Sequence, residues 1–142
     1  MAALTLRKAR AILKAALAHG AEAGMNPLSV IVVDAGGAPV LFERADATSP
    51  GRFEIAYGKA HGAVMFGAGG TKLAQLAEAR PAFMASLIAA YGGRMVPVQG
   101  GVLVRDARGA VLGAVGVTGD TSENDAAAAV AGIEAAGYTA EA

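Results

Sequence analysis

The segment from Gly100 to Gly132, GGVLVRDARGAVLGAVGVTGDTSENDAAAAVAG, constrains the fold of this chain more than any other. It contains two apolar runs, 101–105 and 111–117, joined by a short turn. A polar stretch follows, and then an alanine-rich run with Ser122 or Thr121 as its N-cap. This pattern predicts an antiparallel hairpin that leads into a helix N-terminus, where unpaired backbone N–H groups favour anionic groups.

A second hairpin is predicted in the first third of the chain. The apolar, β-branched run Leu28–Val33 predicts a buried strand, and Pro39–Glu43 returns after the turn signal DAGG. The other periodic segments predict helices over 4–23 with Thr5 as N-cap and Gly24 as stop, over 53–66, over 71–79 with Thr71 as N-cap, over 81–91, and from Ser122 to Gly137, with a short strand over 96–98.

Two antiparallel hairpins separated by helices predict one antiparallel sheet with helices packed against it, an α/β fold of the α+β type. The 142 residues fit a single domain over 1–142. Hydrophobic residues make up 54% of the chain, and much of that share is alanine. Apolar faces with few charges predict a homo-oligomer, because monomers rarely expose large apolar patches. Helix propensity is the alternative reason for so much alanine.

Charge and cysteine content exclude several classes of function. The formal net charge is zero and no basic residues cluster, which argues against nucleic acid as the main partner. The absence of cysteine excludes disulfides, thiolate chemistry and Cys-ligated metal. No run approaches the ~20 apolar residues of a membrane span, and the N-terminus lacks a signal-peptide core. We therefore expect no membrane association and a cytoplasmic location.

Four residues after the first hairpin carry candidate chemistry. Arg44 and Asp46 follow the second strand, and Lys59 and His61 lie on the next predicted helix. Arg and Lys suit a carboxylate or propionate, while His61 or Asp46 suits proton transfer and His61 suits a metal. In the alternative interpretation, Arg44 pairs with Asp46 to order the loop and Lys59 lies on the surface.

His61 and His19 are the only histidines, so imidazole chemistry must use one of them. His19 lies near the end of the first helix, where its charge would favour the helix dipole. Arg80 precedes a proline between two helices and points at a ligand or caps the preceding turn. Tyrosine and methionine side chains can also be iron ligands. The sequence does not rank the candidates, which are Tyr57, Tyr91, Met65, Met84 and Met95.

The polar stretch after the second hairpin is the other candidate wall of a site. The residues Thr118, Gly119, Asp120 and Ser122 offer hydroxyls and backbone N–H groups to an anionic ligand edge. Ordinary helix capping, with Asp125 in the first turn, is the alternative reading of Ser122 and its neighbours. Helix capping does not explain the glycines at 113, 116 and 119. Such glycines mark close approach by another backbone or by a ligand.

These residues resemble the GlcG/HbpS family, which includes haem-binding proteins and the C-terminal domain of PduO-type cobalamin adenosyltransferases. The resemblance runs from the first helix to about Gly137. It rests mainly on PVQGGVLVRDARGAVLGAVGVTGDTSENDAAAAVAGIEAAG, supported by the DAGG turn, Arg44 with Asp46, Ile55-Ala56 to Lys59-Ala60, and Arg80-Pro81. Many relatives carry Thr or another residue where this chain has His61, so no iron ligand of the family maps onto this sequence.

The resemblance implies a profilin-like sheet of about five strands flanked by helices and a homo-oligomer of four or more subunits. It also implies that some members bind haem or a related tetrapyrrole as the cofactor. Our leading hypothesis for this chain, which the resemblance itself does not supply, places Arg44 and Lys59 on the propionates and His61 on the iron. Two alternatives stay open: an enzyme or accessory subunit acting on a small carboxylated metabolite at Arg44, Asp46, Lys59 and His61, and a scaffold without a ligand.

Overall fold

The computed structural model describes residues 3–142, which form five helices and one five-stranded antiparallel sheet. The helices are α1 (Leu6–Glu22), α2 (Arg52–Phe66), α3 (Gly70–Ala79), α4 (Pro81–Ala90) and α5 (Ser122–Ala135). The strands are β1 (Ser29–Asp34), β2 (Pro39–Arg44), β3 (Gly101–Arg105), β4 (Val111–Thr118) and β5 (Thr139–Glu141).

The predicted hairpins are the two halves of one sheet. Its order is β2-β1-β4-β3-β5, and every neighbouring pair is antiparallel. β1 and β4 join the halves in a register that places Ile31 opposite Gly116. The predicted α/β architecture is therefore confirmed.

The two faces of the sheet carry different helices. Val30 and Val32 pack with α1 and α5 in the larger core cluster, whereas Ile31 and Val33 pack beneath α2. This follows from the alternation of side chains along a strand that is buried on both faces. A separate cluster holds α3 and α4 together against the segment around Met95.

Glycines in β3 and β4 let α2 lie directly on the sheet. A Cβ on Gly116 would overlap the carbonyl oxygen of Ala56, and one on Gly101 would overlap the carbonyl oxygen of Lys59. Gly113 and Gly119 are equally close to the carbonyl oxygens of other strand and loop residues. The close approach predicted at these glycines is thus made by protein backbone.

The structure confirms two predicted caps. The hydroxyl of Thr5 accepts a hydrogen bond from the backbone N–H of Lys8, and the hydroxyl of Thr121 accepts one from Asn124, each at 3.2 Å. Thr121 is therefore the N-cap of α5, and Ser122 is its first helical residue.

Other boundaries differ from the prediction. Gly69, not Thr71, is the N-cap of α3. The predicted stop of α1 is confirmed, because Gly24 follows the C-cap Ala23 in a left-handed conformation with φ of 67°. The predicted strand over 96–98 is wrong, because the N–H of Val96 donates to the carbonyl of Gly58 on α2 instead of to a strand. The sequence reading missed β5, a three-residue edge strand paired with β3.

None of the helices within residues 3–142 combines the length and apolarity needed to cross a bilayer.

Candidate functional site

Helix α2 presents Lys59 and His61 in different directions, because residues two positions apart in a helix are separated by about 200° around its axis. Lys59 extends toward α5, and His61 lies against the segment that precedes β3. The structure therefore places Lys59 and His61 in two separate surroundings.

Lys59 is buried at the junction of β4 and α5, with a side chain only 3% exposed. Its ammonium nitrogen donates to the carbonyl of Val117 at 2.9 Å and to Oδ2 of Asp125 at 3.2 Å. Oδ1 of Asp125 accepts from the backbone N–H of Asp120 at 2.9 Å. Burial lowers the pKa of Lys59, and the carboxylate of Asp125 opposes this shift. The ammonium is thus engaged within the fold, and the alternative that placed Lys59 on the surface is wrong.

His61 is held by a backbone carbonyl. Its Nδ1 lies 2.8 Å from the carbonyl oxygen of Arg94, and a carbonyl oxygen only accepts hydrogen bonds. In the neutral ring the proton is therefore on Nδ1, and Nε2 carries the lone pair. Nε2 makes no hydrogen bond with residues 3–142. This is the arrangement that metal-ligating histidines adopt, because the second nitrogen fixes the tautomer and the ring orientation.

The imidazole of His61 belongs to a row of four side chains that are spaced four residues apart along one side of α2. We call Phe53, Tyr57, His61 and Met65 the α2 stripe. The rings of Tyr57 and His61 meet edge to face with centroids 5.3 Å apart, and Phe53 stacks on Tyr57 at 5.6 Å. Met65 is 37% exposed, so the stripe reaches the surface.

Gly37, in the β1–β2 turn, packs closely against the imidazole, and His61 is only 6% exposed. A Cβ at this position would lie 3.0 Å from Cδ2 of His61 and 3.0 Å from Cε of Met65. The hydroxyl of Tyr57 donates to the carbonyl of Gly37 at 3.4 Å, which ties the turn to the stripe. The first hairpin thus forms one side of the surroundings of His61.

A second polar group lies where β1 begins and where β2 and β4 end. We call Ser29, Arg44, Arg52 and Thr118 the strand-end corner. Ser29 faces Arg44 on one neighbouring strand and Thr118 on the other. Nη1 of Arg52 donates to the hydroxyl of Thr118 at 2.8 Å. The hydroxyl of Ser29 is fully buried and has no hydrogen-bond partner among residues 3–142.

The loop between β2 and α2 does not contain the alternative ion pair. Across residues 3–142 the ion pairs are Lys59–Asp125 and Arg105–Glu141, so Arg44 and Asp46 are not paired with each other. Both side chains are exposed.

The β4–α5 junction uses most of its polar groups internally. The carboxylate of Asp120 accepts from the backbone N–H of Asn26 at 2.9 Å and from Nδ2 of Asn124 at 2.7 Å. These hydrogen bonds hold the pKa of Asp120 below its usual range. Gly119 packs against the carbonyl of Pro27, and Ser122 is partly buried in the first turn of α5.

Arg80 and His19 lie on other elements. Arg80 is exposed between α3 and α4, and its guanidinium lies 4.5 Å from the ring centroid of Phe83. Its side chain therefore stacks on an aromatic ring instead of capping the preceding carbonyls. His19 is in the last turn of α1, as the sequence predicted.

Sequence reasoning missed three residues that shape these places. Arg52 opens α2, one residue before the predicted helix start, and was not among the candidate residues, although a basic residue next to a helix start is a usable signal. Ser29 was hidden at the start of an apolar strand. Arg94 contributes its backbone carbonyl, for which no side-chain pattern exists.

Neither place contains a complete metal site made of protein ligands. No group of three or more His, Cys, Asp or Glu side chains able to hold a metal ion occurs in the part of the chain that the structure describes. A single free imidazole nitrogen instead suits a metal centre that brings its other ligands with it, as haem iron does.

A pocket of about 440 Å³ lies between the two hairpin turns, near the start of α1. None of its lining residues belongs to the α2 stripe or to the strand-end corner. The carboxylates of Asp34 and Asp106 at this pocket accept hydrogen bonds from backbone N–H groups of their own turns. We therefore assign these carboxylates to turn formation.

Comparison with known proteins places these features in context. Residues 4–134 match a family model described as haem degrading protein HbpS-like. The solved structure of HbpS is 29% identical with a TM-score of 0.80, over 94% of this chain and 90% of that chain. The Klebsiella pneumoniae protein ORFY is 26% identical with a TM-score of 0.81, over 93% and 89%. No curated protein matches the chain.

The PduOC–haem complex shares the fold at 23% identity and a TM-score of 0.87, over 99% of this chain and 100% of that chain. At this identity the likeness concerns the fold alone.

Proposed function

The chain belongs to the family described as haem degrading protein HbpS-like, and from this membership we propose that it binds haem or a related tetrapyrrole. From the geometry of the site we propose Nε2 of His61 as the iron ligand. The observation that carries the proposal is the 2.8 Å contact between Nδ1 of His61 and the carbonyl of Arg94. It leaves the lone pair on Nε2, which has no hydrogen-bond partner among residues 3–142.

The surroundings of His61 fit a flat, largely apolar group. Phe53 and Tyr57 offer aromatic faces and edges, and Met65 offers a flexible thioether at the surface. Gly37, which has no Cβ, lets the β1–β2 turn lie directly against the edge of the ring. When bound, an iron porphyrin supplies the redox and ligand chemistry, while the protein supplies binding and orientation. The resemblance of the fold to the PduOC–haem complex agrees with this assignment.

The role of the chain's own residues follows from these contacts. The carbonyl of Arg94 orients the imidazole and keeps its proton on Nδ1. Tyr57 joins the β1–β2 turn to α2, which fixes the position of Gly37 beside the ring. Lys59 anchors α2 to α5 and leaves the cationic role near a ligand to arginine.

Titration of the purified protein with hemin tests the proposal. We expect a saturable Soret band of defined stoichiometry that shifts in His61→Ala and is unchanged in the matched control His19→Ala. Added imidazole should restore the original spectrum of His61→Gly, because the free ligand replaces the missing ring. An identical Soret spectrum in the wild type and in folded His61→Ala would exclude His61 as the ligand, and non-saturable absorbance alone would exclude the function.

We also propose that the chain forms a homo-oligomer of four or more subunits. Support comes from large apolar side chains at the surface, namely Leu6 at 43% exposure and Ile55 and Met65 at 37%. Helix α4 adds an apolar sequence in which only Met84 is buried. Native mass spectrometry reports the subunit number and any retained tetrapyrrole together, and a monomer at micromolar concentration would contradict this proposal.

A further inference from the structure

We propose that the strand-end corner is a carboxylate-binding subsite. Its ligand is either a side-chain carboxylate of the bound tetrapyrrole or the carboxylate of a free small organic acid. The first source rests on the proposed function, and the second does not.

The sheet register places three side chains of the corner in one row. Ser29 of β1 pairs with Arg44 of β2 and with Thr118 of β4, and directly opposed residues project from the same face. That face is the one covered by α2, and Arg52 at the first turn of α2 reaches Thr118 at 2.8 Å. Four elements therefore contribute to a single group of polar side chains.

No carboxylate among residues 3–142 forms an ion pair with the two arginines of the corner. Arg52 uses Nη1 on Thr118 and Nε on the hydroxyl of Ser49 at 3.0 Å, so its contacts are to neutral oxygens. Arg44 makes no ion pair with any residue between 3 and 142. Lys59 is close enough that the charge of Arg52 contributes to lowering its pKa, and its own charge is paired with Asp125. Two guanidinium groups thus remain for an anion, and their fork geometry matches a carboxylate.

The N-terminus of α2 opens at the same place. Its N-cap is Gly51, which offers no side-chain hydrogen bond to the first backbone N–H groups. The partial positive charge at a helix N-terminus favours an anion there. The acidic side chains nearest in sequence, Asp46 and Glu54, are exposed.

The buried hydroxyl of Ser29 also indicates a ligand at the corner, independently of the charges and of the helix N-terminus. This hydroxyl is the only side-chain polar atom in the described part of the chain that is buried without a hydrogen-bond partner. Such an atom calls for an explanation, because a buried hydroxyl without a hydrogen bond loses its interaction with water and gains nothing in return. Its position between Arg44 and Thr118 makes it a donor to an oxygen that enters the corner.

The corner continues directly into the α2 stripe. Phe42 precedes Arg44 by two residues on the same face of β2, and its ring meets Phe53 edge to face at 5.0 Å. Phe53 follows Arg52 in α2. An apolar surface that begins at His61 therefore ends at two arginines, which suits a ligand with an apolar body and a terminal carboxylate.

Two binding measurements test this subsite and distinguish the sources. The first titrates haem-free protein with malonate and with inorganic phosphate, and follows the Arg Nε–H resonances by NMR. The second compares hemin with its dimethyl ester, in which both carboxylates are blocked. Each is carried out on the wild type, Arg52→Gln, Ser29→Ala and the control Arg108→Gln, which removes an exposed arginine of the β3–β4 turn.

A free acid is the source if malonate saturates and Arg52→Gln weakens it about tenfold to hundredfold, the range expected for a charged hydrogen-bonding partner. A tetrapyrrole carboxylate is the source if Arg52→Gln weakens hemin by that factor and leaves the dimethyl ester unchanged. In either case Ser29→Ala weakens the same ligand less, and Arg108→Gln has no effect.

The subsite is overturned if Arg52→Gln changes neither malonate nor hemin binding, or if phosphate binds and malonate does not. Its failure is separate from that of the proposed function. Hemin that binds through His61 while neither hemin nor malonate binding responds to Arg52→Gln removes only the subsite. Saturable malonate binding that Arg52→Gln weakens, without any hemin binding, removes only the haem function.

Discussion

The ammonium nitrogen of Lys59 lies 3.2 Å from Oδ2 of Asp125, and this contact joins the middle of α2 to the first turn of α5. Both side chains are almost fully buried. The pair is the main polar connection between the helix on one face of the sheet and a helix on the other. It is therefore a sensitive place to test how the two layers are held together.

Removing one partner of this pair should destabilise the protein more than removing both charges. We expect Lys59→Met to lower the free energy of unfolding by about 3–5 kcal/mol, because it leaves the carboxylate of Asp125 buried and unpaired. The double variant Lys59→Met/Asp125→Asn should recover part of that loss. Urea denaturation measures both variants, and equal or additive losses would contradict a coupled ion pair.

The same pair gives a pH dependence of defined sign. Burial lowers the pKa of Lys59 in the folded state, and the attraction of Asp125 opposes this only in part. Between the lowered value and the ordinary value of 10.5, the unfolded chain therefore binds more protons than the folded one. The stability of the wild type relative to Lys59→Met should rise with pH through this window and be constant above it. Unfolding free energies measured from neutral pH upward check the slope, and a falling difference would contradict it.

Substitution of Gly116 tests how closely α2 lies on the sheet. A Cβ there would overlap the carbonyl oxygen of Ala56, so Gly116→Ala should cost about 2 kcal/mol or more through displaced backbone. Gly36→Ala is the matched control, because its Cβ would make an ordinary contact at 3.5 Å. Thermal unfolding should separate the two variants by several degrees. Similar melting temperatures would show that α2 is free to shift.

Gly37 and Gly109 form a matched pair for testing the surroundings of His61. Both occupy left-handed conformations, with φ of 83° and 85°, at equivalent places in the two hairpin turns. Replacing either with alanine should cost about 1–2 kcal/mol of stability. Only Gly37→Ala should also alter the hemin spectrum, because its Cβ would press on His61 and Met65. A hemin titration of both variants decides the point, and equal spectra would place the ligand elsewhere.

The sheet and its helices were predictable because the alternation, turn and capping signals are local. The DAGG turn and the apolar runs predicted the two hairpins, and Thr5 capped its helix as expected. β5 was not predictable, because three half-exposed residues gain their order from pairing with β3 and from the Arg105–Glu141 ion pair.

The site was predictable by residue type more than by grouping. Lys59 and His61 are two positions apart in sequence, and only the pitch of α2 separates them in space. The partner of Lys59 is 66 positions away, and the partner of His61 is a backbone oxygen. Neither kind of partner leaves a pattern near the residue it serves, so the grouping could emerge only from the tertiary structure.

Position 94 illustrates how function can persist without a recognisable residue. The main-chain oxygen there, and not the arginine side chain, holds the imidazole. Any amino acid that preserves the path of the chain would serve equally, so the residue at this position can vary among relatives while the hydrogen bond is kept. Searches that compare residue identities would pass over it, whereas a change in the length of the segment ahead of β3 would remove it at once.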